Sequence, residues 1–256
     1  MNNNPIGVYD SGFGGLSVWR ELHRVLPNES LIYLGDGKNC PYGSLAVEQI
    51  RVLAEDAVKL LLERGCKMIV VACNTATAAA IEYLRAKFSD VPFVGLEPAV
   101  KPACLTTQSK VVGVIATERS LTGEKFLKTL ARYGEGVRVI KSIGRGFVEA
   151  VEQNAEQEES TEQLVREVIE PIIAEGADII VLGCTHYPFL RDVIERAVGD
   201  RNVKIIDSGE AVGKRVESLL DEHELRAESG HTPVYEFVTL ADESYRKRLQ
   251  EKAFAE

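Results

Sequence analysis

The chain has no CxxC pair, no HxxxH pair, no excess of basic residues and no apolar run approaching a membrane span. Each absence removes a class of function. Cys40, Cys66, Cys73, Cys104 and Cys184 are odd in number and scattered, which argues against a disulfide scaffold and for free thiols. Without a compact ligand pair, zinc is left only with single ligands on separated loops, such as Cys73, Cys184, His186 and Asp10. Thirty Lys and Arg against 39 Asp and Glu give a formal charge of -9, so no basic surplus exists to neutralise phosphates, and a nucleic-acid partner is not expected. A bilayer-spanning helix needs about 20 apolar residues, and none is present. Met1-Asn2-Asn3-Asn4-Pro5 lacks the basic and apolar regions of a secretory signal. A soluble, cytoplasmic protein without a membrane partner is expected.

What is present is core-forming material: 45% of the 256 residues are apolar, enough for one large core or two of ordinary domain size. Short β-rich runs alternate with amphipathic helical ones. Ile6 to Tyr9 precedes Leu16 to Leu26; Ser30 to Leu34 precedes Ser44 to Glu63; Met68 to Ala72 precedes Thr77 to Phe88. The alternation continues through Phe93 to Leu96, Val111 to Ile115, Val137 to Ile140 and Ile179 to Leu182. This pattern predicts mostly parallel sheets covered by helices. The glutamate-rich stretch Asn154 to Thr161 is predicted as a solvated helix from its composition.

Two pairs of segments point to an internal duplication. Val70 to Thr75 and Val181 to His186 each place a cysteine where a strand should stop, 184 − 73 = 111 residues apart. Ile6 to Ser11 matches Val112 to Thr117, with Gly7 and Gly113 separated by 113 − 7 = 106 residues. The expectation is an α/β protein of two pseudo-symmetric domains, with a site between them. The first, discontinuous domain would hold residues 1–97 and 208–256, and the second residues 98–207, with Glu97-Pro98-Ala99 as crossover and Ile206 to Gly209 as return.

Ligand sites in such folds sit at the carboxyl ends of strands. Cys73 and Cys184 each stand between a strand and a helix start, where backbone N–H groups and the helix dipole favour a thiolate and offer donors to a bound carboxylate. His186, two residues beyond Cys184, is a proton shuttle by chemistry or a helix cap by position. Asp10-Ser11-Gly12-Phe13-Gly14-Gly15 is not GxGxxG, so a dinucleotide is not expected; Asp10 is either a charge facing the thiol or an Asx turn. Pro41-Tyr42-Gly43 could close over a small ligand through its backbone, or be a plain turn. Cys66 and Cys104 read as small buried hydrophobes.

Taken together, Gly7 to Val18, Pro41-Tyr42-Gly43, Ala72 to Ala78, Glu97-Pro98-Ala99 and Gly183 to Pro188 closely resemble the glutamate racemases of the cofactor-independent aspartate/glutamate racemase superfamily. The likeness covers nearly the whole chain. It implies interconversion of L- and D-glutamate with no pyridoxal phosphate, other cofactor or metal, glutamate as the small-molecule partner, and supply of D-glutamate to peptidoglycan. A homodimer is compatible with it. By resemblance, Cys73 and Cys184 are the catalytic bases, assisted by Asp10, His186 and Glu152. The same likeness makes Asp10, Ser11, Pro41, Tyr42, Gly43, Asn74, Thr75, Thr185 and His186 substrate-binding positions. The family's Gly-Thr-x-x-Thr stretch stands here as Ala116-Thr117-Glu118-Arg119-Ser120, which adds Thr117 and Ser120. Gly37-Lys38-Asn39-Cys40 departs from the family pattern and leaves the role of Cys40 open.

Racemisation of that kind removes a proton from one face of the α-carbon and returns one to the other. Sulfurs each about 3 to 3.5 Å from that carbon are too far apart for a disulfide, so the pair is expected to stay unbridged. The resemblance assigns Cys73 to D-glutamate and Cys184 to L-glutamate. Rival readings are an aspartate racemase, a zinc-dependent hydrolase and a two-domain amino-acid binding protein without chemistry. The histidine after Gly183-Cys184-Thr185 favours glutamate over aspartate by resemblance, and the paired thiols count against a mere binder.

Overall fold

The structure is a computed structural model in which residues 1–255 are described. It divides into two compact units, Met1–Leu96 with the segment from Gly209 onward, and Glu97–Ser208.

The first unit runs β1 (Ile6–Asp10), α1 (Leu16–Val25), β2 (Leu31–Gly35), a 3-10 turn (Tyr42–Ser44), α2 (Val47–Glu63), β3 (Met68–Val71), α3 (Asn74–Lys87) and β4 (Phe93–Gly95). The second continues with α4 (Val100–Thr106), β5 (Val111–Ala116), α5 (Glu118–Thr122), α6 (Glu124–Tyr133), β6 (Arg138–Ile143), α7 (Phe147–Glu152), α8 (Glu159–Ala174) and β7 (Ile179–Leu182). A 3-10 turn (Tyr187–Leu190), α9 (Arg191–Val198) and β8 (Lys204–Ile206) complete it. The chain then returns to the first unit with α10 (Gly209–Glu222), β9 (Tyr235–Thr239) and α11 (Glu243–Phe254).

Both sheets are parallel throughout, in the orders β4-β3-β1-β2-β9 and β6-β5-β7-β8. Read from the other edge, the second is β8-β7-β5-β6, the first order without its last strand. The duplication seen in the sequence is therefore a repeated topology, and the pairing of Gly7 with Gly113 has a packing reason. A Cβ on Gly7 would meet side chains of Ile69 at 2.9 Å and Leu61 at 3.0 Å, and one on Gly113 would meet Ile172 at 2.3 Å. In each unit the helix leading into the cysteine-bearing strand, α2 or α8, presses an aliphatic side chain onto the glycine of the central strand. Interior strands are buried throughout, as expected of strands covered on both faces: Ile6 to Asp10, Leu31 to Gly35, Met68 to Val71 and Ile179 to Leu182, with Asp10 the one charged residue among them.

Three local expectations are corrected. Asn154 to Glu158 is not helical, and α8 begins at Glu159. Asn154 adopts a left-handed φ of 55°, the Ala155 amide closes back on the Ala150 carbonyl, and the Thr161 hydroxyl donates to the Ala155 carbonyl at 2.7 Å. These local bonds outweigh the helix propensity of the glutamates. α2 starts at Val47 rather than Ser44, because Tyr42–Ser44 forms its own 3-10 turn. α3 starts at Asn74, so Asn74 and Thr75 are its first residues, and the cap is Cys73 itself.

Candidate active site

The two cysteines occupy equivalent places, each the second residue beyond its strand. Just past β3, the Ala72 amide donates to the Tyr9 carbonyl at 2.7 Å; just past β7, the Gly183 amide donates to the Ile115 carbonyl at 2.7 Å. Each strand thus holds on to the central strand of its sheet for one residue more before the chain turns to present a thiol. Gly183 cannot carry a side chain, since a Cβ there would lie 2.8 Å from that of Ala116 and 3.0 Å from the Ile115 carbonyl oxygen.

Cys73 is 5% exposed. Its Sγ accepts from the Ala76 amide at 3.4 Å as N-cap of α3, and lies 3.6 Å from Ser11 Oγ. Helix N-terminal N–H groups stabilise negative charge on such a sulfur. Asn74 and Thr75 follow, both buried, and the Asn74 side-chain nitrogen has no hydrogen-bond partner among the described residues. A buried amide donor left open costs stability unless something accepts from it, which suits a ligand oxygen. Asp10, at the end of β1, is fully buried and accepts from the Gly12 amide at 2.7 Å, so the Asx turn is realised. The Gly12 carbonyl is held in turn by the Tyr33 hydroxyl at 2.6 Å.

Cys184 is 8% exposed and its Sγ lies 3.7 Å from His186 Nδ1. His186 Nε2 lies 2.7 Å from Glu152 Oε1 at the end of α7. Thiol, imidazole and carboxylate therefore form a line within one unit. With Nε2–H donated to the carboxylate, Nδ1 presents a lone pair toward the sulfur, the arrangement in which an imidazole takes a thiol proton and the carboxylate stabilises the resulting cation. Tyr187, next in sequence, is fully buried; burial pushes its hydroxyl well up, the charges of Cys184 and Glu149 add to this, and its bond to the Gly144 carbonyl opposes it.

The remaining nominated residues divide between the units. Thr117 caps α5: its hydroxyl lies 2.9 Å from Ser120 Oγ and accepts from the Ser120 amide at 3.3 Å. Thr185 is buried beside Cys184 in the chain. Pro41 and Gly43 are exposed, whereas Tyr42 is 1% exposed and its hydroxyl is turned inward, donating to Asp36 Oδ2 at 2.6 Å and accepting from the Tyr9 hydroxyl at 2.7 Å. Tyr9 and Asp36 were missed by reading the sequence. The available signal was positional: Asp36 directly follows β2 as Asp10 ends β1. Cys66 and Cys104 are buried, and burial pushes the Cys66 thiol up to about 12, which keeps it protonated and inert.

Comparison with known proteins agrees with the resemblance read from the motifs. The family model described as Asp/Glu/Hydantoin racemase matches residues 6–215. A glutamate racemase of Herpetosiphon aurantiacus is 44% identical over 98% of both chains. The crystal structure of glutamate racemase isoform RacE1 from Bacillus anthracis superposes with a TM-score of 0.88 at 32% identity, covering 98% of this chain and 94% of that one. That of the Francisella tularensis glutamate racemase in complex with D-glutamate gives 0.84 at 29% identity, covering 99% and 94%. With matches of this extent, the chain belongs to the Asp/Glu/hydantoin racemase family, and within it to the glutamate racemases.

Proposed function

We propose that this protein interconverts L- and D-glutamate by two-base proton transfer, with Cys73 and Cys184 as the bases, and that it supplies D-glutamate to peptidoglycan synthesis in the cytoplasm. One observation carries the mechanism: the same parallel topology occurs twice, and each copy carries a buried cysteine two residues past the same strand. One thiolate removes the α-proton and becomes a thiol, leaving the electron pair on the α-carbon. The other thiol delivers its proton to the opposite face and becomes a thiolate. The reverse reaction exchanges the roles. Negative charge that develops on the substrate carboxylate is met by donors from Asn74, Thr75 and Thr185 and by the amides that open α3. Cys184 has the His186–Glu152 line to manage its proton, while Cys73 has the α3 N-terminus, Ser11 and Asp10. The D-glutamate in the Francisella structure supports glutamate as the substrate.

Circular dichroism of the purified protein with D-glutamate, then with D-aspartate, and with no cofactor added, tests this reading. The D-glutamate signal should decay to zero while that of D-aspartate persists. A stable D-glutamate signal sinks the reading, and decay with D-aspartate alone moves the substrate to the shorter acid.

A further inference from the structure

The strongest set of buried polar groups outside the two thiol clusters lies in the first unit. The Tyr9 hydroxyl donates to the Tyr42 hydroxyl at 2.7 Å, which donates to Asp36 Oδ2 at 2.6 Å. The Asn39 side-chain amide closes on the same carboxylate at 2.9 and 3.0 Å, and the Asp36 amide is tied to the Asp10 carbonyl at 3.0 Å. Tyr9, Tyr42 and Asp36 are 0%, 1% and 0% exposed. The order of donation is fixed: a carboxylate only accepts, so Tyr42 must donate to it and is left to accept from Tyr9. Burial raises both hydroxyls far above the usual phenol range, so neither loses its proton as pH changes.

This chain joins the end of β1 and the residue after β2 to the turn that carries Pro41, Gly43 and Ser44. Those three are exposed, while the ring between them is sunk into the apolar cluster that also contains Cys73. An exposed turn of this kind would ordinarily be mobile. Here the Tyr42 side chain anchors it with two short, buried hydrogen bonds. We infer that the Tyr9–Tyr42–Asp36 chain is a positioning device for racemisation: it fixes the backbone of the Pro41–Ser44 turn against the substrate, and Tyr42 itself touches the substrate through no side-chain atom. The inference rests on the racemase reading above. Tyr9 and Asp36 are positioning residues within it.

Tyr42→Phe keeps the ring and removes both bonds; Tyr9→Phe removes only the outer one. In Tyr42→Phe, amide hydrogen exchange in the peptide spanning 41–46 should accelerate about tenfold. KM for D-glutamate should rise about tenfold, with kcat within threefold of the parent. Tyr9→Phe should move both quantities the same way by less, and the double variant should match Tyr42→Phe, because Tyr9 has already lost its acceptor. Unchanged exchange overturns the inference, as does faster exchange with KM unchanged, or a loss confined to kcat. If the parent protein itself leaves D-glutamate untouched, the racemase reading fails, and the exchange measurement still decides whether the turn is anchored by this chain.

Discussion

Cys184 Sγ lies 3.7 Å from His186 Nδ1, and the far nitrogen of that ring is 2.7 Å from Glu152. On the proposed mechanism the consequence is asymmetric, because this line would serve Cys184 and not Cys73. Since L- and D-glutamate are equally stable, kcat/KM must fall equally in both directions when His186 is replaced, so rates alone hide the asymmetry. Isotope effects expose it. In His186→Asn we expect kcat/KM to fall about 100-fold. The proton transfer at Cys184 should become rate-limiting, so the α-deuterium isotope effect grows for the enantiomer deprotonated there, L-glutamate by family resemblance, and shrinks for the other. Glu152→Gln should repeat the pattern more weakly. Isotope effects that change alike for both enantiomers would remove the line from the proton path.

On the proposed two-base mechanism, replacing either Cys73 or Cys184 should stop racemisation. Cys73→Ala and Cys184→Ala are each expected to lose at least about 1,000-fold in kcat, since no other group can take over the missing base. Cys73→Ala also loses the cap of α3, worth about 1 kcal/mol. Cys73→Ser keeps an acceptor there, so comparing the two separates folding from chemistry. In deuterated water the parent protein should place deuterium in early product while remaining substrate stays protonated. Equal early labelling of both pools would mean a single exchanging base.

Much of this was legible from local pattern. Strand runs were found because buried parallel strands are apolar throughout, and the two cysteine turns because glycine, cysteine and hydroxyl residues interrupt that pattern abruptly. The repeat of Gly7 in Gly113 was visible before its cause, the aliphatic side chains pressed against each, could be known. Long-range polar pairing was not legible. Nothing near Tyr9 announces that its hydroxyl meets Tyr42, 33 residues on, and nothing near Glu152 fixes its distance to His186, 34 residues away. The resemblance supplied Glu152, but no sequence pattern supplied Tyr9 or Asp36. The failed helix at Asn154 shows the opposite limit, where a left-handed residue and two short-range hydrogen bonds decide against composition.

A buried ion pair holds the other end of the first sheet. Lys67 Nζ lies 2.6 Å from Glu29 Oε2, with side chains 1% and 5% exposed, and the second Glu29 oxygen accepts from the Ala227 amide at 2.9 Å. Lys67→Met should strand the carboxylate and cost about 3–5 kcal/mol, read from the urea midpoint. Adding Glu29→Gln removes the stranded charge and keeps an acceptor for Ala227, so the double variant should recover most of the loss. A double variant no more stable than the single one would show that the pair matters for something other than its charge.

Asp178 sets an acid limit for the second unit. Burial tends to raise its carboxyl, but bonds from the Thr107 hydroxyl and from the Ser109 and Gln108 amides outweigh this and hold it at about 2, below its ordinary value of 3.8. The folded form therefore binds the proton less readily than the unfolded one. Its contribution to stability is complete above the unfolded value and is lost as pH falls through about 2. Asp178→Asn cannot titrate, so the gap in urea midpoint between the parent and this variant should be widest above about pH 5 and should close progressively toward pH 2. A gap that stays constant over that range would mean that the Asp178 carboxylate draws no stability from the turn at Thr107 to Ser109, and that the three donors act there only as neutral partners.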